Sequence, residues 1–113
     1  MTPSPQVLVV EDESALVTLL RYNLEREGFR VAEARDGEEA LLMAREQKPD
    51  LVLLDWMLPL LSGLEVCRQM RRMPETKSVP IIMLTARGED IVEARPKSDK
   101  TSFAVVNAPE EKA

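Results

Sequence analysis

The fold class that this sequence predicts is α/β, a doubly wound sheet of parallel strands, and three observations predict it. Short aliphatic runs alternate with longer stretches in which apolar residues return every third or fourth position. The runs Val7-Leu8-Val9-Val10, Leu51-Val52-Leu53-Leu54 and Ile81-Ile82-Met83-Leu84 are nearly continuous, as central parallel strands covered on both faces require. With 113 residues, the chain can bury one core of ordinary size but not two.

The elements follow in order. After the first run, Ser14 is in place to cap a helix reaching to about Glu27, with Leu16, Leu19, Leu20, Asn23 and Leu24 on one side and Arg21, Glu25 and Arg26 on the polar face. Gly28 supplies its stop. Phe29-Arg30-Val31-Ala32-Glu33 alternates and reads as an edge strand. A second helix is expected from Gly37 to Gln47, capped by Asp36 with Glu39 three residues on, Leu41 and Ala44 facing inward and Pro49 ending it. The third starts with the capping box Ser62-Gly63-Leu64-Glu65, aligns Leu64, Cys67 and Met70, and ends before Pro74. Beyond Thr85 the regularity fails. A two-turn helix before Pro96 and a further strand at Phe103-Ala104-Val105-Val106 are the expected remnants, and Asn107 to Ala113 offer no apolar face for a closing helix.

Composition narrows the function. Hydrophobic residues make up 44% and aromatics 4%, so the core is aliphatic. Fifteen Lys and Arg against twenty Asp and Glu leave a formal charge of -5, which opposes unaided binding to a phosphate backbone. One cysteine and no histidine exclude an internal disulfide, a zinc-finger set and Ser/His or Cys/His catalysis. The most apolar stretch, Leu51 to Leu61, is broken by Asp55 and Pro59 and falls short of the roughly 20 residues of a bilayer span. The N-terminus lacks the basic start and apolar run of a secretion signal, so a cytoplasmic location without membrane contact is expected.

Chemistry concentrates at the carboxyl ends of the strands, where open parallel sheets bind ligands. Glu11-Asp12-Glu13 follow the first strand, Asp55 the third and Thr85 the fourth. Adjacent strand ends lie about 5 Å apart, which would gather Glu11, Asp12 and Asp55 into a negative cluster. Such a cluster is costly without a cation, and an incomplete oxygen set suits Mg²⁺. Beside Mg²⁺, Asp55 could act as nucleophile towards a phosphoryl group, with Thr85 bonding a phosphoryl oxygen. Glu13 and Asp36 read instead as solvated loop or cap residues. The methionines Met43, Met57, Met70, Met73 and Met83 read as core or helix-face packing, and Cys67 as an inward-facing small hydrophobe. Trp56 is expected at the site rim, either packed as a lid or partly exposed.

Val7-Leu8-Val9-Val10-Glu11-Asp12-Glu13, Leu53-Leu54-Asp55-Trp56-Met57-Leu58-Pro59 with Ser62-Gly63, and Pro80-Ile81-Ile82-Met83-Leu84-Thr85-Ala86-Arg87-Gly88-Glu89 resemble the receiver domain of bacterial two-component response regulators. The likeness is strongest to the phosphate-regulon (PhoB/OmpR) type of transcriptional regulators and runs from about Gln6 to Glu89. The resemblance implies a flavodoxin-like (CheY-like) sheet of order 2-1-3-4 with a fifth strand left open. It implies Mg²⁺ held by Glu11, Asp12, Asp55 and the backbone carbonyl of Met57, and Asp55 taking a phosphoryl group from a sensor histidine kinase. Thr85 and the Ala86 backbone would bind that group and drive the switch. Homodimerisation on phosphorylation, and DNA binding through an effector domain outside this chain, are further implications.

The family's lysine after the fifth strand and its closing helix find no match. Asn107 falls near the lysine position, and Lys97 and Lys100 precede the strand. The expected division is therefore a receiver core over 1–90 and an atypical tail over 91–113, altered or truncated, with a replacement strand at 102–106. The function expected is a phospho-acceptor switch with at most autophosphorylation and autodephosphorylation activity, controlling transcription. Two rivals stand beside it: a non-phosphorylated pseudo-receiver acting as an interaction module, and a Mg²⁺-dependent phosphohydrolase.

Overall fold

In the computed structural model, which describes residues 4–85 and 103–107 and treats Thr85 and 103–107 by their backbone, the elements alternate. They are β1 (Gln6–Val10), α1 (Ser14–Arg26), β2 (Arg30–Ala34), α2 (Gly37–Gln47), β3 (Leu51–Asp55), α3 (Gly63–Arg72), β4 (Ile81–Thr85) and β5 (Phe103–Asn107). The strands form one sheet in the order β2-β1-β3-β4-β5, every pairing parallel. The alternating segment is indeed the edge strand β2, displaced by one residue from the expected range. The fifth strand left open by the sequence lies beside β4, with Asn107 in register with Thr85.

Strand side chains alternate between the two faces and define two cores. Leu8, Val10, Val52, Leu54, Ile81 and Met83 meet Ala40 and Ala44 of α2 and Val66, Cys67 and Met70 of α3. On the opposite face, Val7, Val9, Leu53 and Leu84 meet Leu20 and Leu24 of α1. Small alanines on α2 let that helix lie close to the sheet, and Met70, fully buried, fills the space under α3.

The helix boundaries show which local signals operate. Asp36 accepts the Glu39 N–H at 2.7 Å, while the Glu39 carboxylate takes the Arg35 N–H at 2.8 Å. Ser62 Oγ accepts the Glu65 N–H at 3.2 Å. At the end of α1, Gly28 adopts φ +94 and its N–H reaches the Glu25 carbonyl, a stop that needs a residue without a Cβ. Two expectations for α1 are corrected. Ser14 is the first helical residue rather than the cap; Glu13 holds the cap position and makes no side-chain cap bond. The buried stripe is Val17, Leu20 and Leu24, leaving Leu19 55% exposed and Asn23 at the surface. Arg21 accounts for that rotation, because its guanidinium reaches across to Glu33 of β2 at 2.6 Å and to the Val31 carbonyl.

The two-turn helix expected before Pro96, with Lys97 and Lys100, lies outside the described residues, as does the segment after Asn107.

Candidate functional site

The site is built at the carboxyl rim of the sheet, where β1 and β3 lie side by side with Val10 paired to Leu54. Each strand continues straight into acidic residues, so Glu11, Asp12 and Asp55 converge, offering one carboxylate oxygen each within 4.8 Å of one another. The geometry brings together the three acids that the sequence singles out. Glu11 is only 4% exposed, whereas Asp12 is exposed and Asp55 half-buried. Among the described residues none of the three is in an ion pair.

Burial sets the electrostatics. Desolvation pushes the Glu11 carboxyl from an ordinary 4.5 up to about 7; the Glu13 N–H, at 3.1 Å from Glu11 Oε2, opposes this, and the Asp55 and Asp12 charges add to it. Asp55 is likewise raised, by burial first, with the Met57 N–H and a hydrogen bond from Glu11 working in the other direction. Both carboxyls are thus harder to ionise together than two free ones, burial being the first cause in each.

The backbone around Asp55 is pinned from several sides. Asp55 is in register with Leu84, and the Trp56 N–H donates to the Leu84 carbonyl at 3.0 Å, extending the β3–β4 ladder one residue past the acid. The Met57 N–H donates to Asp55 Oδ1 at 3.2 Å and orients its carboxylate. The Gly63 N–H returns to the Trp56 carbonyl at 3.0 Å, closing the loop. Trp56 is half-buried, packed against the core on the α2/α3 side while partly exposed. Met57 departs from the packing expected of it: it is 74% exposed, while its backbone N–H bonds Asp55. Met70 and Met83 are buried, Met43 and Met73 partly so, and Cys67 is buried with its thiol pushed up by desolvation. Asp36 caps α2 and the exposed Glu13 stands at the cap position of α1.

Thr85 ends β4 beside Asp55, and the backbone of Asn107 lies next to it across the β4–β5 pair. The Thr85 side chain and Ala86 lie outside the described residues. Sequence reasoning missed the tight approach of Gly63 to Asp55; its signal, a glycine directly after a capping serine, was absorbed into the capping box.

The residues fit a hard divalent cation. All donors are oxygens, they come from the ends of two neighbouring strands, and a nearby cation would favour the ionised form of the buried Glu11 carboxyl, which burial alone disfavours. The response regulator receiver domain model matches residues 7–99, more than half of the chain. The chain belongs to that family. Two curated relatives share the receiver sequence. The phosphate regulon transcriptional regulatory protein of Rhizobium meliloti is 59% identical over 86 residues, covering 76% of this chain and 38% of the relative. The alkaline phosphatase synthesis transcriptional regulatory protein of Bacillus subtilis is 55% identical over 85 residues, covering 75% and 35%. The chain therefore spans little more than a third of these relatives, the part that is their receiver domain. Among solved structures, the receiver domain of a sensor histidine kinase from Pseudomonas aeruginosa, with a magnesium ion coordinated in its active site cleft, superimposes with a TM-score of 0.73 at 34% identity, covering 77% of this chain and 71% of that one. This receiver domain has the flavodoxin-like fold that its strand order implies. Among its described residues, no helix is long and apolar enough to cross a membrane.

Proposed function

We propose that this receiver domain is a Mg²⁺-dependent phospho-acceptor switch, cytoplasmic, serving a sensor histidine kinase and a transcriptional output. The observation that carries the reading is the convergence of Glu11, Asp12 and Asp55 at the ends of β1 and β3 with Glu11 buried. Glu11, Asp12, Asp55 and the Met57 carbonyl would hold the metal, whose chemistry when bound is to neutralise charge on the phosphoryl oxygens.

Asp55 is the acceptor. Its carboxylate oxygen attacks phosphorus, an O–P bond forms as the P–N bond of a phosphohistidine breaks, and the electron pair of that bond stays on the ring nitrogen, the imidazole leaving neutral with the proton already held on its other nitrogen. The Met57 N–H on Oδ1 fixes the orientation of the carboxylate for the transfer. Thr85 and the Ala86 backbone, one strand over, would bond the transferred phosphoryl oxygens, and Trp56 would form the rim. Biasing two conformations in this way is a signalling role and not metabolic turnover. The division into a receiver core over 1–90 and a tail over 91–113 belongs to the same proposal, as do dimerisation on phosphorylation and DNA binding through an effector domain outside this chain.

A second reading is favoured by one observation: the backbone of Asn107, not a lysine, lies beside Thr85 at the end of β5. On that reading the domain is a pseudo-receiver, binding its partners without phosphorylation. Intact mass after incubation with a small phosphodonor, with and without Mg²⁺, separates the two. The expected result is a Mg²⁺-dependent gain of one phosphoryl group, absent in Asp55→Asn. A folded wild-type chain that gains none supports the pseudo-receiver, and kinase-independent turnover of a phosphate ester would indicate a phosphohydrolase.

A further inference from the structure

Two glycines flank the loop from Trp56 to Ser62, and each leaves no room for a side chain, but against different neighbours. A Cβ on Gly37, at the start of α2, would collide with the Leu61 Cβ and stand 2.8 Å from the Leu61 carbonyl oxygen and 2.9 Å from Val66 Cγ2. These contacts are at the far end of the loop. A Cβ on Gly63, at the start of α3, would collide with the Asp55 carbonyl oxygen and stand 3.0 Å from Trp56 Cα and 3.2 Å from the Asp55 carbonyl carbon. All three are backbone atoms, of the acid at the centre of the site and of the residue after it.

The backbone of Asp55 and Trp56 has little freedom to yield in other directions. The Trp56 N–H is bonded to β4 through the Leu84 carbonyl, and the Trp56 carbonyl is bonded to the Gly63 N–H itself. An inserted methyl group would therefore rotate or lift the Asp55 peptide, and the Asp55 carboxylate would move with it relative to Glu11. A displacement of about 1 Å is large on the scale of a metal or phosphoryl site.

We infer that Gly63 is a positioning residue: the absence of its side chain lets α3 seat against the Asp55 peptide and so sets where the Asp55 carboxylate stands relative to Glu11 and Asp12. This rests on the site reading above for its consequence in metal binding, while the placement of the carboxylate can be read without metal. Gly37 provides the matched control, an equally crowded glycine whose neighbours are Leu61 and Val66.

The test compares wild type, Gly63→Ala and Gly37→Ala. Side-chain carboxyl ¹³C resonances of Asp55 and Glu11 are recorded without metal, and Mg²⁺ affinity is measured by calorimetric titration. The expected result is displaced Asp55 and Glu11 resonances and at least about tenfold weaker Mg²⁺ binding in Gly63→Ala, with both within about twofold of wild type in Gly37→Ala. Unmoved carboxyl resonances in Gly63→Ala, or equal movement in Gly37→Ala, overturn the inference. A wild type that fails to bind Mg²⁺ while Gly63→Ala still shifts the two carboxyls removes the metal reading and leaves the positioning role standing. Should Gly63→Ala be unfolded at room temperature, the resonances are measured cold in a stabilising osmolyte. A variant that stays unfolded there makes Gly63 a requirement of the fold alone and overturns the inference.

Discussion

The carboxyl groups of Glu11 and Asp55, from the ends of neighbouring strands, lie within 4.8 Å of each other, and burial raises both above the ordinary carboxylate range. The folded chain therefore binds more protons than the unfolded chain between the ordinary 4.5 of Glu11 and its folded value of about 7. Stability from this pair is retained below that window and lost as pH rises through it. Glu11→Gln, which keeps the shape without the charge, is expected to be no more stable than wild type at pH 5 and more stable by on the order of 2 kcal/mol at pH 8, without Mg²⁺. Urea unfolding at the two pH values checks this; a difference independent of pH would refute the raised Glu11 value.

Asp12 is the exposed member of the trio, so it carries little of that strain and contributes chiefly through its charge. Asp12→Ala is expected to leave the melting temperature nearly unchanged and to weaken Mg²⁺ binding by about tenfold or more. Trp56, half-buried beside the site, provides the fluorescence signal for the titration. A titration identical to wild type would move the metal elsewhere.

Much of this architecture was legible in the sequence. Strands β1, β3 and β4 are continuous aliphatic runs that only a doubly covered sheet explains, and Asp36 and Ser62 are caps whose partners stand three residues on. What escaped depends on contacts between distant segments. The periodicity of α1 admits both Leu19 and Val17, and the bond from Arg21 to Glu33 on β2 settles which turns inward. Ser14 looks like a cap, but the Glu13 carbonyl already accepts the Val17 N–H, so the helix starts one residue earlier. Met57 looks like core, yet it faces water while its backbone N–H bonds Asp55. The burial of Glu11 and the closeness of Gly63 to Asp55 are likewise properties of packing.

Thr76, fully buried after α3, donates from Oγ1 to the Met70 carbonyl at 2.7 Å. Its bond fastens the α3–β4 connection to the last turn of the helix, beside the Arg71 bond to the Val79 carbonyl at 2.8 Å. The Met70 carbonyl keeps a second, longer donor in the Met73 N–H at 3.3 Å, so it is not orphaned when the hydroxyl is removed. Thr76→Val should therefore cost about 1 kcal/mol, the lower end for a lost buried hydrogen bond, with Mg²⁺ affinity unchanged. A loss above about 3 kcal/mol would show that the connection depends on this one bond.

Leu60 stands in the loop after Asp55 with φ +73 and is 70% exposed. Its neighbours Leu58 and Leu61 pack against the core, so the chain must reverse between them, and the left-handed residue does this at the cost of a Cβ clash. Little apolar burial is at stake, because the side chain is mostly in water. Leu60→Gly removes the clash but adds freedom to the unfolded chain, two effects of opposite sign and similar size. The clash is the larger, and a net stabilisation of about 0.5 kcal/mol is expected. Leu60→Ala retains the clash and loses only the exposed side chain, so it should be neutral or slightly destabilising. Parallel urea melts with equal denaturant slopes distinguish the two effects: if Gly is less stable than Ala, the left-handed turn is not strained and the side chain of Leu60 has a packing role of its own.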